Sequence, residues 1–278
     1  MEFAKGHGTG NDFVLLPDPD GALDLTPALV RALCDRRQGI GGDGVLRVIR
    51  AAKHPEGAAM AGDAEWFMDY WNADGSLAEM CGNGSRVFAR YLVAHGLAAP
   101  GDWTLATRAG AKALRVGEVG DVTVDMGPPR FLRDSYAVVA RRQYEGVGVS
   151  MGNPHLVCGV GAADLDVVDL GAPPAYDPVV FPDGVNVELV TPVGRGHVRM
   201  RVHERGSGET ASCGTGACAV AAVALRDAGE TAGEVTVDVP GGRLTVTLDG
   251  RTSWLSGPAV IMAEGTVDPG WLDAITSH

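Results

Sequence analysis

The chain writes one phrase twice. Residues 80–92 read MCGNGSRVFARYL and residues 212–225 read SCGTGACAVAAVAL, so a Cys-Gly-X-Gly step heads an apolar helical segment at Cys81 and again at Cys213, 132 residues later. After each helix come a strand pattern, a Gly turn, a second strand pattern and then Gly-Pro, at Gly127–Pro128 and at Gly257–Pro258, 130 residues apart. Register held within two residues over about fifty positions marks an internal duplication. Two domains are therefore expected: 1–125, carrying Cys81 and completed by the C-terminal segment 260–278, and 126–259, carrying Cys213. The length of 278 residues agrees, being long for a single core.

Strand patterns such as DFVLL, GVLRVI, AEWFMDYW, VTVDM, HVRMRVHE, EVTVDV, LTVTLDG and AVIMA outnumber helical ones. The clear helices are GSRVFARYLVAHG and TGACAVAAVALRDAG, each stopped by a Gly at C′, together with TPALVRALCDRR. Strands and helices do not alternate regularly, which disfavours a doubly wound parallel sheet and favours an α+β class. Each half is expected to wrap a mostly antiparallel sheet around a central helix, with the two halves pseudo-symmetric and the active site in the cleft between them. AAKHPEGAAMAGDAEW reads as an extended surface loop between two strands.

Net charge is −12 with three lysines, Lys5, Lys53 and Lys112, which argues against an electrostatic grip on nucleic acid or an anionic membrane. The start carries no basic-then-apolar leader, and no run reaches the about 18 apolar residues of a membrane span, so a cytoplasmic protein with a small-molecule partner is expected. Five cysteines with no C-x-x-C pair point to free thiols rather than a disulfide framework or a zinc site. Cys34, Cys158 and Cys218 read as small buried hydrophobes. GIGGDG spells the dinucleotide fingerprint at Gly39, Gly41 and Gly44, yet it follows a helix and precedes a strand, the reverse of the required context. Neither a nicotinamide cofactor nor pyridoxal phosphate is expected, and no metal.

A helix start presents unpaired N–H groups and partial positive charge, so it holds a carboxylate and eases ionisation of a thiol below its free pKa of about 8.5. The Gly residues after each cysteine let backbone approach a ligand closely. Two such thiols suit stereoinversion of an amino acid: one removes the α-proton, the other returns a proton on the opposite face, and preorganised N–H donors meet the charge growing on the carboxylate.

At these residues the sequence resembles the diaminopimelate epimerases, cofactor-independent enzymes that interconvert LL- and meso-diaminopimelate on the lysine and peptidoglycan pathway. GHGTGNDF, RRQGIGGDG, NADGSLAEMCGNGSR, MGNPHLV, DGVNVELV, ERGSGETASCGTGACA and SGPAV carry the resemblance across nearly the whole chain. It implies that Cys81 and Cys213 are the two acid/base residues, with Gly82, Asn83, Gly214 and Thr215 donating to the reacting end of the substrate. It further implies that Asn11, Asn72, Asn153, Asn186, Glu204 and Arg205 bind substrate and that His155 and Glu204 tune the thiols. Read singly, Asn11 and Asn72 are equally ordinary turn residues, while Asn186 in an apolar strand wants a partner. Glu204 and Arg205 taken alone are as readily a surface ion pair. The alternatives are a two-cysteine racemase of proline, hydroxyproline or another amino acid, and a non-catalytic amino acid binding protein. A homodimer is left open.

Overall fold

In the computed structural model, which describes residues 1–276, the chain divides into two compact units, Met1–Val124 with Pro258–His278, and Asp125–Gly257. The first contains β1 (Glu2–Gly8), β2 (Asn11–Pro17), α1 (Pro27–Cys34), β3 (Gly44–Arg50), β4 (Trp66–Asn72), α2 (Gly82–Ala94), β5 (Gly101–Thr107), β6 (Gly110–Val116) and the start of β7 (Val122–Gly127). The second runs through β8 (Arg130–Phe131), β9 (Ser135–Val139), β10 (Arg142–Ser150), β11 (Pro154–Gly159), α3 (Ala162–Val167), β12 (Ala175–Tyr176) and β13 (Asn186–Gly194). It continues with β14 (His197–Glu204), β15 (Gly208–Thr210), α4 (Gly214–Asp227), β16 (Gly233–Val239), β17 (Gly242–Leu248) and β18 (Ser253–Gly257). The chain then returns to the first unit with β19 (Val260–Thr266), which pairs antiparallel with β1, and α5 (Pro269–Thr276).

The duplication shows in the hydrogen bonding. In the first unit β19–β1 and β1–β2 are antiparallel, β2–β3 parallel, β3–β4 antiparallel, β4–β5 parallel, and β5–β6 and β6–β7 antiparallel. In the second, β9–β10 and β10–β11 are antiparallel, β11–β13 parallel, β13–β14 antiparallel, β14–β16 parallel, and β16–β17 and β17–β18 antiparallel. The same succession of joints occurs twice, so each sheet is mostly antiparallel with two parallel joints in equivalent places.

Each sheet closes over one helix. α2 is buried from Gly82 to Leu92, and α4 from Gly214 to Leu225 apart from Thr215 and Ala224. A helix covered on nearly all faces is mostly apolar or small, which the Val, Phe, Leu and Ala content supplies, and the buried Arg86 and Arg90 of α2 are satisfied by hydrogen bonds. Complete burial of Val87, Phe88 and Leu92 contributes about 1.5–3 kcal/mol each. Both helices end in one motif. Gly96 (φ 66°) and Gly229 (φ 76°) take the left-handed conformation, the N–H of Leu97 reaches Leu92 O at 2.8 Å, and that of Glu230 reaches Leu225 O at 2.8 Å. The C′ glycines read from the sequence therefore carry the helix stops.

GIGGDG closes a helix rather than opening one. The N–H groups of Ile40 and Gly41 both reach Leu33 O and that of Gly42 reaches Cys34 O, satisfying the last carbonyls of α1 before β3 begins. The segment expected as an extended surface loop after β3 is instead partly folded. It forms two short 3-10 turns, Ala51–Lys53 and Ala58–Met60, and Ala51 and Ala64 join Ile49, Phe67 and Ala106 in a small apolar cluster. Ala51 and Ala64 bury against the sheet while Ala52, Ala58 and Ala59 stay exposed, so the segment is anchored at its two ends.

Candidate active site

Cys81 is the N-cap of α2, extended at φ −141° and ψ 122°, and its Sγ accepts the N–H of Gly84 at 3.4 Å. The same sulfur donates to Asn11 Oδ1 at 3.6 Å, an oxygen that also accepts from Asn83 Nδ2 at 3.3 Å. Asn11 is itself held, since its Nδ2 donates to Asp43 Oδ2 at 2.7 Å and Arg36 braces Asp43 at 2.8 Å. Behind Asn83 lies Arg86, fully buried, donating to Asn83 Oδ1 at 2.8 Å, Thr9 Oγ1 at 3.2 Å and the carbonyl of Gly82 at 3.3 Å. The first half-site thus runs from a half-buried thiol through two asparagines to a buried cation. Lys5 pairs with Asp12 at 2.7 Å, and with Arg36 it holds the Asp12 carboxyl well below its usual range despite burial.

Cys213 is the N-cap of α4 at φ −120° and ψ 115°, with only 5% of its surface exposed. Its Sγ lies 3.5 Å from Thr215 Oγ1, which accepts from Asn153 Nδ2 at 3.4 Å. Asn153 Oδ1 is 3.0 Å from His155 Nε2, and His155 Nδ1 is 2.6 Å from Glu188 Oε1. His155 and Glu188 are completely buried. Here the hydrogen-bonded chain ends on an acid and an imidazole rather than a cation.

This difference corrects one expectation. A helix start should ease ionisation, yet at Cys213 the thiol is raised well above its ordinary value, first by burial and then by the negative fields of Glu204 and Glu188, against weaker help from the Thr215 hydroxyl. The surroundings of Cys213 therefore favour its neutral thiol form. Burial also raises Glu188, while His155 pulls it down.

The remaining residues named from the sequence divide. Glu204, at the end of β14, accepts from the Thr210 hydroxyl and faces Cys213 electrostatically. Asn186 spends its amide on the scaffold: Oδ1 accepts the N–H of Arg205 at 2.9 Å and Nδ2 donates to Pro154 O at 3.3 Å. The partner that an asparagine in an apolar strand demanded is thus backbone. Arg205 is exposed, its guanidinium donating to Asp183 O at 2.6 Å. Asn72 donates to Ser76 Oγ at 3.0 Å inside the turn that follows β4, the ordinary turn role. Asp43, Arg86 and Glu188 were missed. Asp43 lies inside the discounted glycine motif, Arg86 is one basic residue in a helical segment, and Glu188 is one acid in an apolar run. The one sequence signal for Glu188 was Val–Glu–Leu in a strand pattern, a charge where alternation gives no reason for one.

Cys34, Cys158 and Cys218 are buried, and none of the five cysteines is joined in a disulfide. Among the described residues no helix is long and apolar enough to cross a membrane.

The sequence model of diaminopimelate epimerase matches residues 3–132 and again 147–267, one match for each repeat. The chain is 57% identical over 286 residues to the diaminopimelate epimerase of Streptomyces coelicolor, covering 99% of this chain and 98% of that protein. It is 50% identical over 291 residues to that of Rhodococcus jostii, covering 99% and 100%. Among solved structures its fold is shared with a Bacillus anthracis protein of the PhzF family (TM-score 0.71, 18% identity, 96% and 98% of the two chains). It is shared too with a hydroxyproline epimerase from Agrobacterium vitis (TM-score 0.66, 17% identity, 97% and 93%). With two N-capping cysteines at equivalent points of one repeated α+β unit, the chain belongs to the diaminopimelate epimerase family.

Proposed function

We propose that this chain interconverts LL- and meso-diaminopimelate without a cofactor, in the cytoplasm, on the route to lysine and peptidoglycan precursors. The observation that carries the reading is that Cys81 and Cys213 cap the two central helices at equivalent positions of the repeat. The two thiols work on opposite faces of one α-carbon. In one direction the thiolate of Cys81 takes the α-proton, electrons pass into the carboxylate, and the thiol of Cys213 gives its proton to the carbon from the other side. The return reaction exchanges the roles. Backbone N–H groups at Gly82 and Gly214, with the side chains of Asn83 and Thr215, receive the substrate carboxylate as it gains charge. Asn11 and Asn153 hold these groups in place. Glu204 and Arg205 serve the distal amino acid end, Arg205 with the free part of its guanidinium; Asn72 and Asn186 exchange their turn and backbone hydrogen bonds for substrate when it enters, and His155 and Glu204 tune Cys213.

The test follows the α-proton signal of LL-diaminopimelate in D₂O, with reduced protein, EDTA and no pyridoxal phosphate. Loss of signal with formation of meso product is expected, falling by about 10²–10⁴-fold in Cys81→Ala and Cys213→Ala. Exchange of proline or hydroxyproline in its place overturns the substrate. Binding without any exchange overturns the enzyme.

A further inference from the structure

Proton transfer at Cys213 calls for Thr215, Asn153 and His155, but not for the inward continuation of their chain to a buried acid. Glu188 lies on β13 two residues past Asn186, on the same strand face, with no exposed surface. Its Oε2 has no hydrogen-bond partner among the described residues, and Oε1 faces both His155 and the first turn of α4 at Gly216. Keeping an acid in such a place is unfavourable, a cost that a merely space-filling residue would avoid.

We propose that Glu188 is a positioning residue for Cys213: it fixes a proton on Nε2 of His155 and thereby sets the direction of every hydrogen bond from His155 to the thiol. In a dry pocket a lone charge on either partner is unfavourable, so Oε1 and Nδ1 share one proton, as acid with imidazole or as carboxylate with imidazolium. In both arrangements Nε2 carries a second proton. That N–H needs an acceptor, and Asn153 Oδ1 is the one within reach, at 3.0 Å. With Oδ1 so committed, the amide N–H of Asn153 donates to Thr215 Oγ1. The hydroxyl proton of Thr215 is then free to point at Cys213 Sγ, 3.5 Å away, where it steadies the thiolate whenever Cys213 has given up its proton. Remove the acid, and the neutral ring can keep its proton on Nδ1. Nε2 becomes an acceptor, the Asn153 amide turns over, and the Thr215 hydroxyl donates to Asn153 instead of to sulfur. The groups facing Glu188 are His155 and Cys158 from β11, Glu204 from β14 and Cys213 at the head of α4. Among them only the His155 ring can pass the setting on through hydrogen bonds.

The inference rests on the proposed epimerase reading only for its kinetic readout. In ¹⁵N-histidine-labelled wild type, with His155 assigned by its loss in His155→Gln, Nε2 is expected to be protonated across pH 6.5–8.5. A bare Nε2 overturns the proposal, whatever the protein turns over. In Glu188→Gln, which keeps the shape, the Nδ1–H form is expected to appear and kcat to fall at least about tenfold, with KM moving much less. A Glu188→Gln protein that melts lower yet keeps both the wild-type ring signals and the wild-type kcat gives Glu188 a purely structural role and also overturns it.

Discussion

Glu188 Oε1 occupies the space that a side chain on Gly216 would need: a β-carbon at Gly216 would lie 2.6 Å from it. In an ordinary helix Gly→Ala stabilises by about 1 kcal/mol. Here the sign reverses, because the acid is hemmed in by His155 and cannot retreat. Gly216→Ala is expected to destabilise by about 1–3 kcal/mol, read as a lower midpoint in urea at unchanged slope. A raised midpoint would show that Glu188 has room to move.

The two thiols differ in access and in the fields around them. Cys81 is half-buried and its sulfur accepts a backbone N–H, whereas Cys213 is 5% exposed and held protonated by burial and by Glu204 and Glu188. Limited iodoacetamide at pH 7.5 should label position 81 well before position 213, as read by peptide mass spectrometry. Equal labelling at early times would contradict this asymmetry.

Asp43 is 43% exposed, so its pairing with Arg36 adds little to stability. Its hydrogen bond to Asn11 nonetheless sets the oxygen that Cys81 and Asn83 share. Asp43→Ala should cut kcat about tenfold while moving the melting temperature by no more than about 2 °C. The decisive comparison is activity against thermal unfolding in one preparation; parallel losses of both would make Asp43 structural.

Alkaline pH should weaken the fold. Burial pushes the Cys34 thiol up to about 11 and that of Cys158 to about 12, and raises Cys213 too. Unfolded, each thiol titrates near pH 8.5. Their stabilisation is fully present below that value and is lost as pH rises toward the folded values, because the unfolded chain releases protons that the folded one keeps. The slope is up to about 1.4 kcal/mol per pH unit for each thiol. Denaturant midpoints at pH 8 and pH 10.5 measure it, and Cys158→Ala should flatten the dependence even if it lowers stability at pH 7.

What the sequence exposed was whatever local chemistry encodes. The repeated Cys-Gly-X-Gly step located both helix starts, and Gly96 and Gly229 both stops, because caps are properties of a few adjacent residues. Residues whose meaning depends on a distant partner stayed hidden. Glu188 acquires its role from His155, 33 residues away, and Asp43 from Asn11 across a parallel strand pair. Asn186, odd in an apolar strand, meets the backbone at Arg205 and Pro154, partners that no local pattern announces. The segment after β3 lies on the surface between two strands as expected, and its short 3-10 turns stay hidden because alanine is equally at home in turns and against a sheet.

The placement of β19 has a consequence for how this chain comes into being. The second unit is one continuous stretch, Asp125–Gly257, while the first lacks its strand beside β1 until Val260–Thr266 is made. During vectorial synthesis the later unit can finish folding while the earlier one still waits with an open sheet edge at β1. A strand made after the second unit is thus the latch of the unit before it, and a ribosome stalling before residue 260 would release a chain whose second unit is complete and whose first is not.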